Sequence, residues 1–574
     1  MARDQVFWNT VLQRSMNRRR ALGAAGLLTG AAALTAACGG GTKKGEVGTG
    51  KPVELRQREA TVAAGEQPKY GGLGKYVTSG EPPDLDPRLT LSFGLHGWLG
   101  SIMSRVVRTV HGAEAQGPAD FTLKPDLAAA WEQPEDLMSI TFKLRQGITW
   151  HNKPPVNGRE LVAEDIKYSF EMYAKTGAHT AAFELLDRVE TPDRYTAKFV
   201  LKQPFSGLLE VLTVPTQWVF AREIIEKEGD LKKTAIGTGP FIQDSFERGV
   251  GFKGSKNSAY FEKGLPYLDA IELLSVPDAS TRKNGFRTGQ FDVLSGILPN
   301  EVDELLKTNP NIQVEEYPGS HSVFGLAMQQ TRPPWNDVRV RRAVSMAIDR
   351  KAQVRSIFQD HGILGWGIPF FFHQENSYTE DQLGPWYKYN VAEAKKLLEA
   401  AGFKDGFKDT ITYFEYNAAM TSQVQLVQAQ LKANLNIELT IKPLDYTTWF
   451  QWYTSHKWEG TAWGFQIGSS STVDDFCYQN IHSKSVANYW YISDEQIDNL
   501  AEKIRLEADN QKKKVLIRRI FERDQEIASR LWMPASNPIY VKQPYLRNFR
   551  FMYLRGGGGA DYGGAARAQH WHAK

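Results

Sequence analysis

The sequence predicts an α/β protein of layered sheets and helices, and three observations carry that prediction. In several short stretches apolar and polar residues alternate with a period of two, the pattern of a half-buried strand. Elsewhere apolar residues recur at i, i+3, i+4 and i+7 behind helix-capping side chains. The two patterns are interleaved along 574 residues. At about 150 residues per domain that length suggests three or four domains or subdomains, ample for a large core. The composition, 41% hydrophobic and 23% charged, suits a globular chain. Most of the 15 Trp, 22 Tyr and 29 Phe are expected in cores, because rings bury large areas.

The first 37 residues read as an export signal rather than as part of the fold. Arg14, Arg18, Arg19 and Arg20 precede an Ala/Gly/Leu-rich run from Ala21 to Ala37, too short and too weakly apolar for a permanent span. Asn17-Arg18-Arg19-Arg20-Ala21-Leu22 resembles a twin-arginine signal, and Leu34-Thr35-Ala36-Ala37-Cys38 a lipoprotein cleavage site, with Thr35 where an aliphatic residue is usual. Cys38 is then the lipidated thiol and the membrane contact is a lipid anchor. The leader's five Arg and one Asp carry +4, and so does the whole chain; the difference leaves the mature chain near neutral. The basic balance therefore gives no support for nucleic-acid binding. With Cys38 lipidated, Cys477 is left as a small packing residue. Residues 38–68, Gly-, Lys- and Glu-rich, read as a flexible tether.

From Lys69 onward the elements follow in order. Ile140, Phe142 and Leu144 alternate with Thr141, Lys143 and Arg145; Tyr195, Ala197 and Phe199 with Thr196 and Lys198; Ile437, Leu439 and Ile441 with Glu438, Thr440 and Lys442. Each predicts a strand. Asp337 caps a helix carrying Val340, Ala343, Val344, Ala347 and Ile348. Asn390 with Glu393 opens a second, ended by Gly402. Ser493 opens a third with Ile497, Leu500 and Ile504. A last long helix carries Leu516, Ile520 and Ile527 and stops before Pro534.

A series of blocks resembles the peptide/nickel-type family of bacterial extracellular solute-binding proteins. They are Tyr70-Gly71-Gly72, Ser79-Gly80-Glu81-Pro82, Leu85-Asp86-Pro87, Pro125-Asp126-Leu127-Ala128 with Trp131-Glu132, and Thr141–Arg145 with Gly147-Ile148-Thr149-Trp150-His151. Later come Ala163-Glu164-Asp165, Gly237-Thr238-Gly239-Pro240-Phe241, Gly289-Gln290-Phe291-Asp292-Val293, Asp337–Ala343 and Ala347–Arg350. Each is weak alone; together, in the family's order, they cover residues 69–550. The resemblance implies a type II periplasmic-binding-protein-like clamp of two lobes with an inserted subdomain. Lobe I would comprise 69–105, 235–317 and 538–574, the inserted subdomain 106–234, and lobe II 318–537.

The resemblance also implies the site. Members enclose a ligand between lobes, peptides being held through main-chain hydrogen bonds that tolerate many side chains. Ala462-Trp463-Gly464-Phe465-Gln466 resembles the pocket strand, where peptide binders usually place a carboxylate three residues after the Trp. Here Gln466 stands there and cannot balance an α-ammonium; Asp474 and Asp475 are candidate substitutes. Trp463 and Phe465 are candidate packing surfaces, Glu81 lies in a cleft-lining loop, and Trp366 resembles an inter-lobe aromatic. Against each stands a plain reading: core packing for the rings, a solvated loop or turn for the acids.

Other motifs weigh little. Gly249–Gly254 fits G-x-G-x-x-G but lacks a following helical stripe. His570-Trp571-His572 is expected to be a loose tail with no third metal ligand. Glu164-Asp165 suits a helix start. No nucleophile elbow, zinc-protease or Walker A pattern occurs, so neither enzyme chemistry nor a metal or cofactor is expected. The expected function is a peptide-binding subunit of an ABC importer, monomeric and docking on permease subunits. Alternatives are the same clamp with an oligosaccharide, opine or metal-chelate cargo, an exported polysaccharide hydrolase with facing carboxylates, and a chaperone-like surface lipoprotein.

Overall fold

Among the described residues, three sheets each carry a cluster of buried apolar side chains. The computed structural model describes residues 57–58 and 66–573, except 83, 91–92, 119, 181, 318–323, 365–383, 416, 466–475, 486–487, 508 and 554–566. The leader, Cys38 and most of the tether lie outside these residues, as do Trp366, Gln466, Asp474 and Asp475. Of Phe465 only the backbone is described.

The largest sheet has eight strands, in the order Gln57–Arg58, Gln313–Glu316, Ile539–Lys542, Val293–Ser295, Leu73–Thr78, Ala270–Ser275, Gly251–Lys256 and Phe241–Glu247. Leu73–Thr78 runs parallel to Ala270–Ser275 and Val293–Ser295. Ile539–Lys542 enters from far along the chain and pairs antiparallel on both sides. Apolar positions of Gln313–Glu316, Ile539–Lys542 and Val293–Ser295 and of the helices Ala279–Arg287 and Pro299–Thr308, among them Phe286, Leu294, Val302, Val314 and Val541, form one buried cluster. Within the stretch read as a tether, Gln57 pairs with Glu315 and Arg58 with Val314.

A four-stranded antiparallel sheet, Ala128–Glu132, Ser139–Leu144, Thr196–Leu201 and Leu186–Asp193, carries the second core. The period-two reading holds: Ile140, Phe142 and Leu144 are buried and Lys143 is exposed. The helix Ala163–Lys175 lies over this sheet, with Phe170 edge-on to Phe199 at 5.1 Å.

The third sheet has the order Glu438–Leu444, Lys408–Phe414, Thr461–Phe465, Phe324–Met328 and Arg530–Trp532. Asp337 caps Val338–Met346 through the Arg339 N–H, and Asn390 caps Val391–Ala400 through the Glu393 N–H. The first of these helices is shorter than its apolar stripe. Asp349 accepts from the Ala352 N–H and starts a new helix, Arg350–Phe358, so a strong local cap overrides a continuing pattern. The third helix begins one residue later than its Ser signal, with Asp494 as cap. The last spans Asn510–Glu526.

One expectation is overturned. The C-terminal residues are no loose tail: Trp571–His572 pairs with Leu546–Arg547, and His570 is fully buried with Nδ1 2.6 Å from the Tyr76 hydroxyl. His572 Nε2 lies 3.2 Å from Asp292 Oδ2, and Arg567 donates to Gly97 O and Ser101 Oγ. Tyr76, Asp292, Gly97 and Ser101 lie hundreds of residues upstream, beyond any local pattern.

Candidate functional site

The strand Thr461–Phe465 occupies the centre of the five-stranded sheet, parallel to Lys408–Phe414 and antiparallel to Phe324–Met328. Trp463 stands in register with Leu326. It is completely buried, and its indole N–H has no hydrogen-bond partner among the described residues. The neighbouring Gly464 has a steric reason. A Cβ there would lie 2.5 Å from Cζ and Oη of Tyr453, which packs flat on that side of the strand.

Tyr453 belongs to the helix Tyr446–Thr454, capped by Asp445. Tyr446, Trp449, Phe450 and Tyr453 follow the i, i+3, i+4, i+7 spacing. Trp449 stacks on Tyr453 at 4.7 Å and 15°, and Tyr453 on Trp458 at 5.9 Å and 19°. Phe414 closes one end, 4.7 Å from Trp449; Tyr489 and Tyr491 close the other. Burial pushes the Tyr453 and Tyr489 phenols above their ordinary values, so both stay neutral donors. The cluster surfaces at Tyr446 and Phe450, 47% and 42% exposed. Sequence reasoning missed this helix, although the Asp445 cap and the aromatic stripe are legible in the residues.

Beside it lies a second set of rings around a charge. Arg530, fully buried, pairs with buried Asp524 at 2.8 Å. Its guanidinium sits 4.5 Å from the Trp532 ring centre and 4.8 Å from that of Trp490, partners that offset its desolvation.

The chain passes between the eight- and five-stranded sheets twice, after Glu316 and before Ile539. One buried carboxylate joins both passages. Glu316 Oε1 accepts from Asn537 Nδ2 at 2.7 Å and lies 2.7 Å from His361 Nδ1. The Asn537 N–H donates to His361 O, and Tyr317 N–H to Pro538 O. Gly362–Ile363 pairs with Ala535–Ser536 alongside.

Glu81 is occupied elsewhere. Its Oε2 accepts from the Gly249 N–H at 2.6 Å and its Oε1 lies 3.7 Å from Arg248 Nε. It thereby holds the turn between Phe241–Glu247 and Gly251–Lys256. The G-x-G-x-x-G sequence is therefore a hairpin turn running into a strand, the wrong setting for a dinucleotide. Asp165 accepts from the Val162 N–H and pairs with Arg159, a helix-start role. Among the described residues no group of three or more His, Cys, Asp or Glu could hold a metal ion, and no helix is long and apolar enough to cross a membrane.

Several recognisable blocks make structural contacts with one another or with nearby segments. His151 N–H donates to Gly237 O and His151 Nε2 lies 3.0 Å from Gly239 O. A Cβ on Gly237 would meet Ile102 O at 2.1 Å. Asp126 accepts from the Arg105 N–H, and Asp292 from the Lys75 N–H.

Comparison with known proteins now bears on this geometry. The profile for bacterial extracellular solute-binding proteins, family 5 (middle), matches residues 122–488. The glutathione-binding protein GsiB of Salmonella paratyphi A is 29% identical over 331 residues, 57% of this chain. The chain spans 62% of that relative's length. Among solved structures, the periplasmic binding protein DppA of Helicobacter pylori, in complex with the peptide STSA, is 21% identical with a TM-score of 0.76, over 88% of this chain and 99% of that one. AgaA of A. tumefaciens R10, in complex with agropinic acid, is 22% identical with a TM-score of 0.74, over 87% and 99%. These likenesses show the expected fold, a mixed α/β clamp of type II.

Proposed function

Since the chain belongs to family 5 of the bacterial extracellular solute-binding proteins, we propose that it captures a peptide or peptide-like solute between two lobes and presents it to an ABC permease. In this reading lobe I is 69–105, 235–317 and 538–574, lobe II is 318–537, and 106–234 is the inserted subdomain. The observation that carries it is the double passage between two sheets, with the Glu316 carboxylate and main-chain bonds linking the two crossings. Two short crossings concentrate the freedom of two large bodies into a few dihedrals, which is how a hinge works. Closure follows when ligand contacts favour the shut state.

The pocket strand supplies the ligand surface. Trp463, Phe465 and Gln466 face the solute in this proposal, with Asp474, Asp475 and Trp366 on neighbouring segments. The Trp463 N–H, buried without an acceptor among the described residues, suits a carbonyl or hydroxyl of the guest, because an unmet buried donor costs about 1–3 kcal/mol. Glu81 shapes the rim through the Gly249 turn. Cys38 carries the lipid that holds the monomer outside the cell. The family points to binding rather than catalysis.

A second reading keeps the clamp and changes the cargo. The ring cluster behind Gly464 and the neutral Gln466 favour a guest without a free ammonium, such as a sugar or an opine, and a neighbouring fold was solved with agropinic acid. Calorimetric titration with glutathione, di- to pentapeptides and opines tests both. Saturable binding of a peptide supports the first reading, and binding of an opine or sugar alone the second. Heat-silent titrations throughout would remove solute capture.

A further inference from the structure

The body containing the five-stranded sheet also touches the subdomain, through residues other than those of the crossings. The helices Glu495–Leu506 and Asn510–Glu526 cover that sheet, with Ile497, Leu500, Ile504, Ile517 and Ile520 in its core. Each also sends out one cation. Arg505 pairs with Glu184, which lies just before the strand Leu186–Asp193 of the four-stranded sheet. Lys513 donates to Ser206 Oγ at 2.7 Å, just before the helix Leu208–Thr213. The separations along the chain are 321 and 307 residues.

Three facts make these contacts more than surface decoration. First, both cations are buried, Arg505 at 9% and Lys513 at 6% exposure, and a buried cation is tolerated only when partnered. Arg505 also lies 4.0 Å over the Tyr478 ring, which fixes the direction of its fork. Second, the subdomain that carries the four-stranded sheet is bonded to the other body by contacts outside the crossings: His151 to Gly237 and Gly239, Arg108 to Glu262 at 3.0 Å, and Lys153 to Gln243 O. These bonds tie it to the eight-stranded sheet. Third, the other side-chain bonds between the bodies named above, among the described residues, lie at the Glu316 and Asn537 passages. A pair between Arg505 and Glu184 therefore closes a loop through space and exists only when the bodies are together.

We propose that Arg505–Glu184 and Lys513–Ser206 form a latch that sets the ratio of closed to open clamp, and so the affinity for solute, without touching it. The proposal rests on the clamp reading given above. Opening rehydrates both cations and closing trades water for Glu184 and Ser206. Altering the partners moves the equilibrium while the ligand surface stays intact. Glu184 is the safer position to vary, since its side chain is 42% exposed and its removal leaves no cavity.

The test uses spin labels at Lys175→Cys on the subdomain and Lys396→Cys on the opposite body, both exposed, in the full mature chain. Distance distributions are recorded without solute and with glutathione or a di- to pentapeptide mixture as probe. Glu184→Lys sets two cations against each other, and the open population should rise about tenfold, with apparent affinity for a bound probe falling up to tenfold. Restoring the pair in reverse with Glu184→Lys/Arg505→Glu should recover most of both. Lys513→Met should shift the distances in the same direction by a smaller factor. A wild type that closes on a probe while Glu184→Lys shows an unchanged distribution overturns the latch and spares the clamp. A single invariant distance in every sample overturns both. Circular dichroism on each variant separates misfolding from opening, and a variant that unfolds is replaced by Glu184→Gln, for which a twofold to fivefold shift is expected.

Discussion

Replacing Gly464 with Ala tests how the pocket strand is held. The added Cβ would lie 2.5 Å from Cζ and Oη of Tyr453 and 2.7 Å from Cε2, whereas carbon contacts settle at about 3.5–4.0 Å. One of them must move by roughly 1 Å. Tyr453 has little room, being stacked between Trp449 and Trp458 at 4.7 and 5.9 Å, and Gly464 is pinned by pairing to Gly325. Overpacking of this kind costs about 1–3 kcal/mol. At about 2–4 °C per kcal/mol for a body of this size, Tm should fall by about 2–12 °C. The control is a double-mutant cycle. Tyr453→Ala alone should cost about 3–5 kcal/mol. With Ala at 464 the ring no longer clashes, so the double variant should lose about 1–3 kcal/mol less than the sum. Because Trp463 is the adjacent residue, Gly464→Ala should also weaken solute binding. Urea unfolding of the four proteins decides. A single variant within 0.5 kcal/mol of wild type, or strictly additive losses, would refute the packing argument.

Three further outcomes are expected. His96, His151 and His179 are buried neutral, their values pushed down to about 3, 4 and 4 chiefly by desolvation. The unfolded chain takes up these protons near pH 6.5 and the folded one does not, so stability falls as the pH drops from about 6.5 toward 4. The three together give a slope of up to about 4 kcal/mol per pH unit; denaturant titrations at pH 7, 6 and 5 measure it, and a flat profile contradicts it. Asp524→Ala strands the buried guanidinium of Arg530 and should cost about 3–5 kcal/mol, with Asp524→Asn costing less, both read by urea unfolding. Deleting 567–574 removes the Tyr76–His570 contact and the Trp571 pairing; a loss of at least about 4 kcal/mol is expected from the buried groups removed, and an unchanged Tm would show the segment to be dispensable.

What was legible in the residues was what local rules decide. The caps at Asp337 and Asn390 and the alternation at Ile140–Leu144 need only near neighbours, and the lack of a helical stripe after Gly254 was plain from the residues. The helix break at Ala347 was not, because Asp349 competes with a stripe that is itself intact. The burial of His570 depends on Tyr76, 494 residues away, and the role of Glu81 on the Gly249 turn, 168 residues away. Of the candidate site, the strand holding Trp463 was reached through the family resemblance of Ala462–Gln466. The aromatic helix behind it was overlooked because its rings read as ordinary core. The structural role of the motif blocks was hidden, since Gly237 makes sense only against Ile102.

The most direct trial of solute capture by closure is a fluorescence distance across the hinge. Dyes at Lys307→Cys and Lys395→Cys, both exposed and on opposite bodies, avoid Cys477, which is buried. Titrating the labelled chain with the peptide and opine panel should shorten the distance saturably for at least one solute, which is then recovered chemically unaltered. A distance that stays fixed across the panel, or a solute returned cleaved, would contradict the account.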